Sequence, residues 1–163
     1  MTGRALYFSE PGRVEVRDRP VPEPGPDEVR VRTELSAVSP GTELLVYRGE
    51  VPESMDADET IDALDGTFSY PQQYGYAAVG RVSAVGVDVT DDWLDRRVLA
   101  FHPHESHFLA DPEDLVPTTL SAEDALLVPN VEAAVNFAMD AQPRLGERVA
   151  VFGQGPVGLL TTA

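Results

Sequence analysis

Two groups of residues have the types and spacing for chemistry. The first is Gly153, Gln154, Gly155, Pro156, Val157 and Gly158, a G-x-G-x-x-G run that follows the apolar stretch Val149 to Phe152. Each glycine has a task in holding a dinucleotide. Gly153 permits the tight turn out of a strand, Gly155 lets backbone approach a pyrophosphate, and Gly158 lets the next helix pack closely with its N-terminus toward the phosphates. The second group is His102-Pro103-His104-Glu105-Ser106-His107, an H-x-H-x-x-H pattern with a carboxylate inside it. Alternation along a strand would put His102 and His104 on one face, with His107 joining them only across a turn. Metal ligation, a place in a substrate cleft for one histidine, and plain structural roles are all open for this segment.

Composition narrows the other options. The chain has no cysteine, so disulfides, thiolate catalysis and cysteine-type zinc sites are excluded together. Its formal charge is -16, and all 12 basic residues are arginine. Acids spread along the chain rather than gathered in a tail read as a solvated coat. A coat of this kind without lysine resembles proteins of high-salt cytoplasms, where screening shortens repulsion to a few ångströms. The same charge disfavours nucleic-acid binding. No apolar run approaches the ~20 residues needed to cross a bilayer, and the first residues hold no signal-peptide core. A cytoplasmic protein without a membrane partner is the expectation.

The elements that must position these groups follow from punctuation and periodicity. Arg4 to Ser9 and Val14 to Arg19 read as strands around the turn signal Pro11-Gly12. A proline-rich connector spans Pro20 to Pro26, and Glu28 to Leu35 alternates as a half-buried strand. Pro40-Gly41 opens a short helical segment from Thr42 to Arg48, and the acidic stretch Gly49 to Ser69 reads as an exposed loop. Strands return at Ala77 to Val87, Arg97 to Phe101 and His107 to Ala110. Ser121 with Glu123 and Asp124 marks a helix N-terminus. A helix from Glu132 to Ala141 is ended by Pro143 and Gly146, and a strand from Glu147 leads into the glycine run. The fold class is thus mainly β with helices: a β-rich region over 1–120, a helical bridge over 121–146, and the first βα step of a dinucleotide-binding unit over 147–163.

In this order the chain resembles the medium-chain dehydrogenase/reductase superfamily, which includes zinc alcohol dehydrogenases and quinone reductases. The matching pieces are Glu10-Pro11-Gly12 among the first strands, the S-P-G-T-E turn at Ser39 to Glu43, Tyr74 to Gly80 followed by V-G-x-x-V, and the closing G-E-R-V-A-V-F-G-Q-G-P-V-G. The resemblance implies a GroES-like barrel followed by the start of a Rossmann domain, in a natural polypeptide about twice as long. It implies NAD or NADP as cofactor and a small-molecule substrate. It leaves a homo-oligomer open.

The resemblance also marks departures. Where the zinc-dependent members carry cysteine, histidine and a third ligand, this chain has Pro40, Tyr76 and Val128. None is a donor suited to zinc, so a zinc-independent branch with no bound metal is implied. Hydrogen-bond donors would then take over the stabilisation of the substrate oxygen. By position, Thr42 matches the residue that carries the substrate proton, and its hydroxyl both donates and accepts; the alternative is a helix cap. Tyr76 would point its phenol into the same cleft, or simply fill the metal's volume. Glu132 would face the nicotinamide region and assist proton transfer, or be one more surface acid. Asn130 is a similar candidate, or a turn residue. Two readings result: a zinc-independent oxidoreductase seen as its N-terminal half, and a non-enzymatic remnant or interaction module built on the barrel.

Overall fold

The computed structural model describes residues 1–51 and 69–163; most of the acidic stretch expected to form a loop therefore lies outside the described residues. Strands β1 (Thr2–Glu10) and β2 (Arg13–Pro20) form an antiparallel ribbon. Its turn is made by Pro11 and Gly12, the latter at a φ of 79° that favours glycine. Strands β3 (Val29–Ser36), β4 (Ala78–Val85), β5 (Arg97–Ala100), β6 (His107–Ala110) and β7 (Leu115–Pro117) make an antiparallel sheet in the order β6-β3-β4-β5-β7. Bridges from Ala5 to Glu105 and from Phe8 to Gln72 join the ribbon to segments of the sheet region.

Strand β4 is buried on both faces over residues 78–80, and its alternation sorts two cores. Ala78 and Val82 pack with Val29, Val31, Val98 and Phe108 on one side. Val79 packs with Leu99, Ala122 and Ala125 on the other, where helix α2 (Ala122–Ala125) covers the sheet. Burial of the valine, leucine and phenylalanine side chains among these contributes roughly 1.5–3 kcal/mol each. Gly80 is required in this strand because a Cβ there would lie 2.5 Å from the Arg32 carbonyl oxygen of β3. Across the solvent edge, Glu34 of β3 accepts from Arg81 of β4 at 2.8 Å and from Arg97 of β5 at 3.0 Å.

Helix α1 (Thr42–Arg48) begins after Pro40-Gly41 and stops at Gly49, whose φ of 69° is left-handed. The expected serine cap of α2 is present, with Ser121 Oγ accepting from the Asp124 amide at 3.1 Å. Helix α3 (Val128–Ala141) starts four residues earlier than the Glu132 expected from sequence, with Pro129 in its first turn. It ends at Gln142 in the left-handed region, immediately before Pro143.

One expected strand is not formed. Residues 147–152 have the apolar pattern of a strand but pair with no other segment among the described residues. A strand exists only with a hydrogen-bonded neighbour, and here Val149 and Phe152 remain exposed. Helix α4 (Pro156–Thr162) follows the glycine run with Gly155 as its N-cap.

Candidate functional site

The antiparallel order brings three chain segments to one end of the five-stranded sheet. There β3 leaves toward Ser39 and α1, β4 enters from Gly75-Tyr76, and β5 leaves toward His102 and His104. The junction continues the ladder, since the Ala37 amide donates to the Ala77 carbonyl at 3.0 Å. Thr42 and Tyr76, separated by 34 positions in the numbering, thus sit on adjacent segments. Tyr76 is half-buried against a cluster formed by Phe8, Val46 and Tyr74, and Val46 belongs to the same helix as Thr42. Tyr70 packs against this cluster: its hydroxyl donates to the Val46 carbonyl, and burial pushes its phenol above the usual range.

Thr42 is exposed at the first turn of α1, and its amide donates to Ser39 Oγ at 3.4 Å. The residue after it is the surprise. Glu43 is 1% exposed. Its Oε2 meets His104 Nε2 at 2.8 Å, and its Oε1 accepts from the Ser39 amide at 3.0 Å. With Nε2 as the donor, the imidazole N–H bonds the carboxylate oxygen directly. His104 is 7% exposed, and its Nδ1 is buried without a hydrogen-bond partner among the described residues. Gly75 allows this arrangement: at a φ of 141°, it lies so close under the ring that a Cβ would be 2.7 Å from Nε2.

The three histidines do not come together. His102 stacks on Phe108 with ring centroids 3.9 Å apart and hydrogen-bonds the Pro103 carbonyl at 3.0 Å. Burial lowers its imidazole below the ordinary value, against the raising effects of that carbonyl and of Glu105. His107 is also lowered, by burial and by Arg30 and Arg32. His102, His107, Glu105 and Arg19 line an open cavity of about 250 Å³ that does not include His104. On its wall, Arg19 donates to Gln73 at 3.0 Å and to Glu105 at 3.2 Å. Residues 101–106 are not in a strand, so the alternation that would have put His102 and His104 on one face does not apply. Among the described residues no three histidine, aspartate or glutamate groups gather around a possible metal.

The positions that resemble zinc ligands are filled by other chemistry. Pro40 and Val128 have no donor atom in their side chains, and Val128 packs against the Val79, Leu99, Ala122 and Ala125 cluster. Tyr76 alone offers an oxygen, so this donor set does not fit zinc. Glu132 is exposed and Asn130 half-buried on α3, and neither makes a hydrogen bond or ion pair to Thr42 or Tyr76 among the described residues.

The glycine run forms a turn into α4 without the expected strand before it. Gly153 turns at a φ of 99°. A Cβ on Gly158 would sit 2.0 Å from the Gly153 carbonyl oxygen, whereas one on Gly155 would meet nothing within 4 Å. The turn is therefore closed at Gly158 and open at Gly155. Gln154, Pro156 and Val157 complete it, with Val157 half-buried in α4.

Sequence reasoning did not single out Glu43, Ser39 or Gly75. The signal for Glu43 was available: it lies three residues before Val46 and four before Tyr47, on the apolar face of a seven-residue helix.

No protein-family model matches the chain. It is 28% identical over 197 residues to an alcohol dehydrogenase from Cupriavidus necator, covering 98% of this chain and 54% of that protein. It superposes on a thermostable alcohol dehydrogenase from Pyrobaculum aerophilum with a TM-score of 0.77 at 22% identity, over 99% of this chain and 55% of that one. The rspB alcohol dehydrogenase from Escherichia coli CFT073, solved with NADH, matches with a TM-score of 0.75 at 20% identity, over 98% and 52%. The chain spans about half the length of the curated relatives it matches. These proteins belong to the medium-chain dehydrogenase/reductase superfamily, and the chain has that superfamily's fold over this half.

Proposed function

We propose that these 163 residues are the N-terminal half of a zinc-independent, NAD(P)-dependent oxidoreductase of the alcohol dehydrogenase type. The observation that carries this reading is the Gly153–Gly158 turn, closed by the Gly158–Gly153 contact and open at Gly155, within a fold shared with a dehydrogenase that binds NADH. The barrel occupies 1–120, the helical bridge 121–146, and the dinucleotide domain begins at 147. The nicotinamide cofactor, NAD or NADP, supplies hydride exchange with a carbonyl, alcohol or activated alkene of a small substrate.

The chain's own residues handle what the hydride leaves over. Backbone amides of the Gly153 to Gly158 turn, Pro156 excepted, would hold the pyrophosphate. The Thr42 hydroxyl, exposed at the start of α1, donates to the substrate oxygen and carries its proton. Tyr76 adds a second donor from the adjacent segment, in place of a metal's charge. Glu132 and Asn130 orient substrate from α3. Among the described residues no helix is long and apolar enough to cross a membrane. The acidic, lysine-free coat suits a high-salt cytoplasm; a melting temperature that falls when KCl is raised would refute that assignment.

The test uses the full-length protein, titrated with NADH and NADPH by fluorescence and then compared with Thr42→Val. Binding of at least one cofactor is expected, and the variant should keep that affinity while losing about 10²-fold in kcat. Failure of both cofactors to bind overturns the reading.

A further inference from the structure

We propose that His104 and Glu43 form a buried positioning couple that sets the turn bearing Thr42, and that His104 is therefore a positioning residue of the oxidoreductase site. This rests on the reading that Thr42 acts on the substrate. Both members are more than nine-tenths buried. Both carboxylate oxygens of Glu43 are committed, one to the His104 ring at 2.8 Å and one to the Ser39 amide at 3.0 Å. Ser39 Oγ in turn accepts the Thr42 amide at 3.4 Å. The two acceptors, Glu43 Oε1 and Ser39 Oγ, thus fold the Ser39–Glu43 turn back on itself, and His104 holds the carboxylate that closes it.

His104 is itself fixed from two sides. Its carbonyl accepts from the Leu6 amide of β1 at 2.9 Å. Its ring rests on Gly75, next to Tyr76, with no room there for a Cβ. The couple therefore ties the segments carrying both candidate donors to one anchor on β1. The ring's second nitrogen, Nδ1, is buried without a partner among the described residues. Leaving it so is unfavourable, and an apolar ring of similar size would avoid it. The contact to Glu43 is what the imidazole provides that such a ring could not, since a buried carboxylate needs a donor.

Amide hydrogen exchange in the full-length protein, read by NMR, tests this. In His104→Leu, exchange at Ser39 and Thr42 should accelerate about tenfold or more, with Val79 and Val82 of β4 within about twofold of the parent. His104→Gln, which keeps a donor for Glu43 without the ring, should restore slow exchange. If His104→Leu does not fold, Glu43→Gln serves in its place, with a smaller acceleration of about threefold at the same two amides. Unchanged exchange at Ser39 and Thr42, or equal acceleration throughout β4, overturns the proposal. So does a Gln variant that behaves like Leu, because volume rather than the hydrogen bond would then be what matters. NADH and NADPH titration of the parent protein separates the two readings. Absent binding alongside the predicted exchange pattern refutes the oxidoreductase reading and leaves the couple a structural tie only.

Discussion

Replacing Gly75 with alanine should strike the candidate site at its most crowded point. The new methyl would lie 2.7 Å from His104 Nε2, 2.9 Å from Cδ2 and 3.1 Å from Cε1. That leaves it about 0.7 Å short of ordinary van der Waals contact at Nε2. A displacement of that size at the very atom bonded to Glu43 disrupts a 2.8 Å bond. It strands a carboxylate that is 1% exposed, with only the Ser39 amide left. Losing a buried hydrogen bond to a carboxylate costs about 1.5–3 kcal/mol, and a non-glycine residue in this φ region about 1–3 kcal/mol. The two relaxations overlap, so we expect a total of about 3–5 kcal/mol in urea denaturation, a large part of the roughly 5–15 kcal/mol that holds a typical domain. A double-mutant cycle with His104→Ala separates them. Without the ring, Gly75→Ala should cost only the backbone part, which makes the coupling about 2 kcal/mol. Equal costs in both backgrounds would show that the glycine serves its own backbone conformation and not the histidine.

Two further outcomes are expected. Gly158→Ala places a methyl 2.0 Å from the Gly153 carbonyl, a clash only backbone movement relieves, so the NADH dissociation constant of the full-length protein should rise about tenfold, or about 1.4 kcal/mol; unchanged affinity would remove the turn from the cofactor site. Burial lowers the His102 imidazole in the folded protein, so the unfolded chain binds the extra proton first as pH falls. The stability it permits is complete above the ordinary imidazole value of about 6.5 and declines as pH drops below that. His102→Gln should flatten the fall in urea midpoint below about pH 6.5, and an identical slope in parent and variant would count against that histidine as its source.

What was legible in the sequence was what neighbours in the chain decide. Helix α1 could be bounded at both ends because Pro40-Gly41 and Gly49 act on their own backbone. The tight turn of the glycine run could be read because its φ of 99° and its 2.0 Å contact arise within six residues. The stretch from Glu147 shows the limit of such reasoning. Its apolar residues announce the capacity for a strand, whereas pairing depends on a partner that periodicity cannot supply. The histidine pattern shows the same limit from the other side. H-x-H suggests a shared face only if the backbone is extended, and residues 101–106 leave β5 before that rule can operate. His102 then turns to Phe108 and His104 to Glu43. In sequence, a lone acid in a helix's first turn such as Glu43 reads as a favourable surface charge. Its burial is decided by a histidine 61 residues away. Yet antiparallel order requires that meeting: once β4 lies between β3 and β5, the ends of those two strands and the start of β4 share one edge. Strand order, more than any motif, is what brings Ser39-to-Glu43, Gly75-Tyr76 and His104 into a single candidate site.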